Sequence, residues 1–210
     1  MIKNLQEELN RLGKNNETPA EIQQKIAEAN QKLEESGEVD GLKVGDRAPN
    51  FKLRNHLSEE VSLVEELKKG PVVLVFYRGG WCPYCNLQLK AYQKALPEIK
   101  EKGAQLIAVS PQTPDNTLSQ KEKEELEFEL LSDQKGETAA NYEVLFEVPA
   151  VVKELYQNFG LDLAEYNGLD EWILPVPAVY IINQEGKIEF VDLNVDYTVR
   201  TEPQTIIDNL

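Results

Sequence analysis

The chain contains only two cysteines, and they stand three residues apart in Trp81-Cys82-Pro83-Tyr84-Cys85. Two thiols at this spacing suit a dithiol/disulfide cycle. Residues three apart share one face of a helix with Cβ atoms about 5 to 6 Å apart, so a modest adjustment brings the sulfurs into disulfide geometry. The elements around them fit that chemistry. Pro71 to Tyr77 is an apolar run without polar alternation, which predicts a strand buried on both faces. From Cys82 onward Leu87, Ala91, Ala95, Leu96 and Ile99 recur at helical spacing and Gly103 closes the segment, so a helix begins at the cysteine pair. The free amides and partial positive charge of a helix N-terminus favour a thiolate, lowering a cysteine pKa from about 8.5 to roughly 3.5 to 7.5. Pro83 is tolerated in a first helical turn, and Gly79 and Gly80 allow a tight turn and keep side chains away from an incoming substrate. Arg78 adds a cation.

Competing uses of the cysteines fit less well. Buried filler has no need of C-x-x-C spacing between a strand and a helix. A structural zinc site needs about four ligands, and His56 is the single histidine of the chain, so no metal and no other cofactor is expected. His56 itself, in the polar stretch Asn55-His56-Leu57-Ser58, reads as a surface residue rather than a catalytic base.

The chain has 210 residues, enough for one domain and an appendage without disulfide staples. Its 22 Lys and Arg against 37 Asp and Glu give a formal charge of -15, which opposes binding to phosphate backbones and anionic membranes. Nucleic acid is therefore excluded as a partner. No stretch approaches the roughly 18 apolar residues that span a bilayer, and Met1 to Gly13 has no signal-like apolar run, so a cytoplasmic protein is expected. A reducing compartment also suits cysteines that cycle rather than staple.

Residues 1–42 read as an N-terminal helical extension and linker. Leu5, Leu9 and Leu12 mark a first helix, and Ile22, Ile26, Ala29 and Leu33 a second, with Thr18-Pro19 and Glu21 as its N-terminal signal. A plain extension packed on the domain is the favoured reading, ahead of a docking hairpin or a homodimer element. From residue 43 to 210 strand signals at Val72 to Tyr77, Gln105 to Ser110, Phe128 to Leu131, Ala178 to Asn183 and Lys187 to Leu193 alternate with helices and end in a hairpin over Gln184-Glu185-Gly186. This predicts an α/β sandwich with a mixed central sheet. Residues 144–175 interrupt the order as an insertion. Its aromatics Phe146, Tyr156, Phe159, Tyr166 and Trp172 read first as anchors of the insertion and second as the lining of a pocket.

Over roughly residues 43–210 the chain resembles the thioredoxin superfamily, on the peroxiredoxin-like side that includes the alkyl hydroperoxide reductase C type. Val44-Gly45-Asp46-Arg47-Ala48-Pro49-Asn50-Phe51 resembles that group's opening G-x-x-A-P-x-F strand and Val61-Ser62-Leu63 its second strand. Leu130-Leu131-Ser132-Asp133 and Ala139-Ala140-Asn141-Tyr142-Glu143-Val144 resemble its L-L-S-D…A-x-x-Y-x-V stretch, and Asn194 to Glu202 the segment that carries one of its arginines, here Arg200. The resemblance implies a thioredoxin-like sandwich and thiol-dependent reduction of hydrogen peroxide or organic hydroperoxides. Aligned on the group's P-x-x-x-T-x-x-C pattern, Cys85 takes the peroxidatic position, Arg78 that of the proline and Cys82 that of the threonine. The group's other arginine falls on Pro177, which resembles instead the cis-proline of thioredoxins. Trp81 resembles thioredoxin, Cys-Pro-Tyr-Cys resembles glutaredoxin, and thioredoxin's buried aspartate falls on Phe76.

Two mechanisms follow, with the peroxidase favoured. In it one thiolate attacks a peroxide oxygen, the partner cysteine captures the sulfenic acid, and thioredoxin or glutaredoxin/glutathione reduces the disulfide, with Arg78 and Arg200 stabilising negative charge. The alternative is a thioredoxin-like protein disulfide oxidoreductase, in which Cys82 attacks a substrate disulfide and Trp81 and Pro177 face the substrate chain. Alignment selects Cys85 as the attacking sulfur, whereas the exposed first position of a helical C-x-x-C selects Cys82, which is preferred here.

Overall fold

A computed structural model describes residues 4–15 and 19–210. Among the described residues there are nine strands: β1 (Lys52–Asn55), β2 (Glu60–Ser62), β3 (Val72–Phe76), β4 (Gln105–Ser110), β5 (Glu129–Ser132), β6 (Leu145–Glu147), β7 (Ile173–Pro175), β8 (Ala178–Ile182) and β9 (Ile188–Leu193). The helices are α1 (Leu5–Asn15), α2 (Ala20–Ser36), α3 (Leu63–Leu67), α4 (Pro83–Glu101), α5 (Pro114–Lys123), α6 (Glu137–Asn141), α7 (Ala150–Asn158), α8 (Leu163–Asn167) and α9 (Pro203–Asp208). The fold is α/β, with one large mixed sheet.

The apolar run after Pro71 forms β3, and each of its residues is buried. Alternating side chains of a strand point to opposite faces, so this strand feeds two cores at once. Val73 and Val75, with Tyr77 just beyond, meet Leu89, Tyr92, Leu96 and Ile99 of α4, together with Leu5 and Leu9 of α1 and Ile206 of α9. Val72, Leu74 and Phe76 meet Leu63 and Leu67 of α3, Ala139 of α6, and Tyr142. The sheet runs β2-β1-β5-β4-β3-β8-β9. Parallel pairing joins β3 to β4 and β4 to β5, while β8, β9, β1 and β2 pair antiparallel.

Several expected boundaries move. Residues 44–51 form turns and a single bridge, Arg47 to Lys187, and the first strand starts only at Lys52. Pro49 lacks the amide a ladder needs, and the Pro49 carbonyl is already engaged by the Tyr142 hydroxyl at 3.0 Å. Pro19 directly precedes α2, and the Thr18 cap lies outside the described residues. The stretch from Leu145 to Pro175 folds as a two-stranded sheet, β6 against β7, enclosing α7 and α8. Trp172 is buried there with Val148, Leu163 and Leu174, whereas Phe159 is exposed. No helix among the described residues is long and apolar enough to cross a membrane.

The two N-terminal helices differ in how they attach. Leu5 and Leu9 of α1 are each 1% exposed, and burying a leucine contributes about 1.5 to 3 kcal/mol. Helix α2 has no fully buried residue and rests against α7.

Candidate active site

The parallel strand β3 delivers the chain to the start of α4 through Tyr77 to Trp81. Cys82 is the N-cap of that helix, Pro83 opens its first turn, and Cys85 lies in the same turn. Both cysteines are free thiols in this structure. The turn is built on glycine. Gly79 has φ +148°, and a Cβ there would come within 2.5 Å of the Trp81 indole, while one on Gly80 would meet the Gln120 side chain at 2.9 Å. These glycines thus make room within the turn for Trp81 and Gln120.

A closed ring of amides holds the loop from beneath. The Gly80 amide donates to Gln112 Oε1 at 2.8 Å, and Gln112 Nε2 donates to Gln120 Oε1 at 3.0 Å. Gln120 Nε2 donates to Asn86 Oδ1 at 2.8 Å, and Asn86 Nδ2 returns to the Gly80 carbonyl at 2.7 Å. Tyr77, fully buried, donates its hydroxyl to Gln120 Oε1 at 2.9 Å. A buried network with its members satisfied rigidifies what it holds, here the backbone just ahead of Cys82.

Arg200 reaches the cysteine pair from the loop between β9 and α9. Its Nη2 donates to Cys85 Sγ at 3.5 Å, Nη1 to Gln88 Oε1 at 2.6 Å and Nε to the Tyr197 carbonyl at 2.7 Å. Gln88 is one turn beyond Cys85 on the same helix face, and its Nε2 donates to the Tyr92 hydroxyl at 2.9 Å. Arg78 is the second cation. It is 4% exposed, with its guanidinium over the rings of Trp81 at 4.9 Å, Tyr156 at 5.5 Å and Tyr197 at 4.2 Å, and it donates to the Tyr156 hydroxyl. Arg78 Nε has no partner.

These surroundings split the two thiols. Burial pushes Cys85 up, but hydrogen bonding from Cys82, the guanidiniums of Arg200 and Arg78, and the Arg78 backbone amide together hold it well below an ordinary thiol. Burial, and then the hydrogen bond and negative charge of Cys85, push Cys82 well above, against the pull of Arg78 and Arg200. Of the two sulfurs, Cys85 is the one its surroundings favour as the thiolate and Cys82 the one they favour as the thiol.

The structure places the expected residues unevenly. Cys82, Cys85 and Arg200 meet directly, and Arg78 with Trp81 forms one wall. Cys82 is only 2% exposed and Cys85 0%, so the exposure on which a Cys82 nucleophile was expected is absent. Packing under Trp81 and Tyr84 at the end of a buried strand removes it. Pro177 is also corrected: every peptide bond among the described residues is trans. Its neighbours are tied into extended pairing, Val176 donating to the Val144 carbonyl at 2.8 Å and Asn194 to the Pro177 carbonyl at 3.3 Å. Pro177 nevertheless shares a cavity of about 40 Å³ with Arg78, Tyr156 and Tyr197.

Gln88, Gln112, Gln120, Asn86 and Tyr197 were not found from sequence, whereas Tyr156, which the sequence offers as an anchor of the insertion or the lining of a pocket, does line the cavity beside Arg78. Gln88 follows Cys85 at helical spacing, which was a usable signal. Tyr197 carries none, because a loop brings it in.

Residues 44–191 match the model of the AhpC/TSA family. Peroxiredoxin Bcp of Escherichia coli is 28% identical over 150 residues, covering 71% of this chain and 85% of that protein. Peroxiredoxin Bcp of Bacillus subtilis is 27% identical over 169 residues, covering 80% and 96%. The crystal structure of peroxidoxin BcpB from Mycobacterium tuberculosis superposes with a TM-score of 0.64 at 20% identity, covering 80% of this chain and 96% of that one. A peroxiredoxin-like protein from Aquifex aeolicus gives 0.63 at 22% identity, covering 80% and 85%. Those two structures share the thioredoxin-like fold, the matched stretch takes in both cysteines together with β3 and the start of α4, and on that ground the chain belongs to the AhpC/TSA family.

Proposed function

We propose that Cys85 is the attacking thiolate and Cys82 the resolving thiol of this thiol peroxidase. Thiol-dependent peroxide reduction fits the family and relatives named peroxiredoxins. The observation that supports the assignment of roles is the Arg200 fork, which puts a cation on Cys85 Sγ while the Cys82 thiol donates to the same sulfur.

The steps balance as follows. The Cys85 thiolate attacks one peroxide oxygen, the O–O bond breaks, and an alkoxide or hydroxide leaves. Cys82 gives that leaving oxygen its proton and becomes a thiolate. This thiolate attacks the Cys85 sulfenic sulfur, the disulfide forms, and hydroxide leaves and takes a proton from solvent. An external thiol donor then returns two electrons and two protons. Arg200 stabilises both the attacking sulfur and the charge developing on oxygen.

The cavity beside Arg78 is read as an approach for peroxide, lined by Arg78, Tyr156, Tyr197 and Pro177 and by neither cysteine. A water needs about 10 to 15 Å³ of such volume, so about 40 Å³ admits a molecule the size of hydrogen peroxide. Arg78, whose Nε is unpaired, and Tyr156 supply polar groups there. A guanidinium is therefore present in this cavity although position 177 is proline. The Arg200 contact on Cys85 favours the peroxidase over the disulfide oxidoreductase, since burial of both sulfurs bears equally on a substrate protein disulfide and on a protein donor.

The proposal extends to a donor of thioredoxin or glutaredoxin/glutathione type and to a cytoplasmic setting, where a reducing pool returns the pair to thiols. It also treats residues 1–42 as an extension on a peroxidase domain spanning 43–210. It does not extend to a homodimer. The test is stopped-flow mixing of the reduced protein with stoichiometric hydrogen peroxide, read by tryptophan fluorescence, beside a small disulfide. Fast peroxide reaction with slow disulfide exchange is expected; the reverse would establish the oxidoreductase.

A further inference from the structure

The loop carrying Arg200 is held from outside by the first helix of the chain. Gln6 Oε1 accepts from the Arg200 backbone amide at 3.3 Å, and Gln6 Nε2 donates to the Thr198 carbonyl at 3.2 Å. One residue beyond Thr201, the Glu202 carboxylate accepts from the first amides of α1, Leu5 N at 3.0 Å and Gln6 N at 2.8 Å. Asn4 Oδ1 takes the next, Glu7 N, at 3.1 Å. Those amides have no partner within the helix, and a carboxylate at a helix N-terminus is favoured by the dipole as well. Leu5 and Leu9 then seat the helix on the core shared with α4 and α9. Contacts run both ways, so loop and helix brace one another across a sequence separation of 192 residues or more.

The other side of the loop is anchored independently. Thr201 donates its hydroxyl to Asp192 Oδ2 at 2.8 Å, and its carbonyl accepts from the Tyr92 hydroxyl at 2.9 Å. These bonds fix the chain after Arg200. Before Arg200, Thr198 binds Asp196 within the loop itself, the Tyr197 ring packs on Tyr84 and under Arg78, and Gln6 supplies hydrogen bonds to the backbone of Thr198 and Arg200 from outside the loop. The guanidinium must lie on a sulfur 3.5 Å away, where a small shift of the backbone breaks contact. The stretch 44–191 that matches the family model includes neither α1 nor Arg200.

We propose that α1, acting through Gln6 and Glu202, is a positioning element that holds the Arg200 guanidinium on Cys85. The proposal rests on the reading of Cys85 as the attacking sulfur. Gln6 and Glu202 are positioning residues, and neither is assigned a contact with peroxide. Docking of α1 and ionisation of Cys85 are then linked: whatever helix attachment does to the thiolate, the thiolate does to helix attachment.

The test compares Gln6→Ala, Glu202→Gln, Arg200→Met and the double variant Gln6→Ala/Arg200→Met in the full chain. The pH dependence of thiolate absorbance in the reduced protein is read beside the rate with hydrogen peroxide, and circular dichroism verifies folding. An opposite charge beside a titrating group moves its pKa by about 1 to 3 units, so Arg200→Met raises the Cys85 midpoint by an amount in that range and Gln6→Ala by roughly half a unit to one. Glu202→Gln, which keeps the shape of the side chain, gives a smaller shift in the same direction. Gln6→Ala adds nothing once Arg200 is methionine, the sign that it acts through the arginine. An unmoved midpoint in folded Gln6→Ala and Glu202→Gln, or a full shift by Gln6→Ala in the Arg200→Met background, overturns the proposal. If Arg200→Met itself leaves the midpoint and the peroxide rate unchanged, it is the assignment of Cys85 that falls.

Discussion

Cys82 and Cys85 occupy one turn of one helix, both are buried, and both lie in the field of the same two arginines, yet their surroundings push the two thiol pKa values in opposite directions. What separates them is direct contact. Cys85 receives a guanidinium N–H from Arg200 and a thiol from Cys82, whereas the cation nearest the first half of the motif, Arg78, spends its charge on aromatic faces and the Tyr156 hydroxyl. The helix N-terminus alone is blind to this choice. A dithiol becomes a nucleophile and a proton donor only when donors are distributed unequally between the two sulfurs.

The largest way to break the comparison is to remove the donor thiol. Cys82→Ser is expected to complete one turnover with peroxide and then stop, because no internal disulfide forms. Mass spectrometry should show sulfinic acid accumulating on Cys85, whereas the parent protein resists over-oxidation at low peroxide. Sulfinic acid appearing equally in both would mean that Cys82 does not capture the sulfenic acid.

Next comes the cation. Removing one preorganised donor from a developing anion typically costs about 10² to 10³ in rate, and Arg200→Met is expected to fall in that range. The pH sign follows from the depressed Cys85 pKa. The thiolate is present above its midpoint and lost below it, so the parent protein keeps its rate to a lower pH than an ordinary thiol allows. The variant midpoint is higher, so its deficit is greatest at mildly acidic pH and narrows as the medium becomes alkaline. A deficit constant across pH would assign Arg200 to peroxide binding alone.

A smaller effect tests the amide ring beneath the loop. Gln120→Ala strands the partners of a buried side chain, each unsatisfied group costing about 1 to 3 kcal/mol, and a lowered thermal midpoint is expected with the two thiol midpoints still well apart. Convergence of those midpoints would show that loop position, more than Arg200, sets the asymmetry. Tyr156→Phe should change least. It removes the hydroxyl on Arg78 but keeps the ring on Trp81, at 5.8 Å between centroids, and a several-fold rise in KM for hydrogen peroxide with little change in kcat is the expected signature of a group that helps bind substrate.

Much of the scaffold was readable because its signals are local. The apolar run of β3, the helical spacing after Cys82 and the C-x-x-C pair specify a strand, a helix and a dithiol at their junction, and the mixed sheet follows from the alternation around them. The first strand was misplaced because Pro49 and the Tyr142 bond to its carbonyl act across the fold rather than along the chain. Exposure misled in the same way. A first C-x-x-C position is open only if nothing packs over it, and here Cys82 lies in the core with Tyr84 while Trp81 packs against that core. Arg200 was placed by resemblance, but its grip on Gln88, its support by Gln6 and the preference for Cys85 depend on contacts between distant segments.

The most direct test of the account is to treat reduced Cys82→Ser and Cys85→Ser proteins with one equivalent of hydrogen peroxide and a sulfenic-acid trap, then locate the adduct by peptide mapping and follow the rate by stopped flow. The account predicts a rapid adduct on Cys85 in Cys82→Ser and an inert Cys85→Ser protein. A rapid adduct on Cys82 in Cys85→Ser, with Cys82→Ser inert, would contradict it.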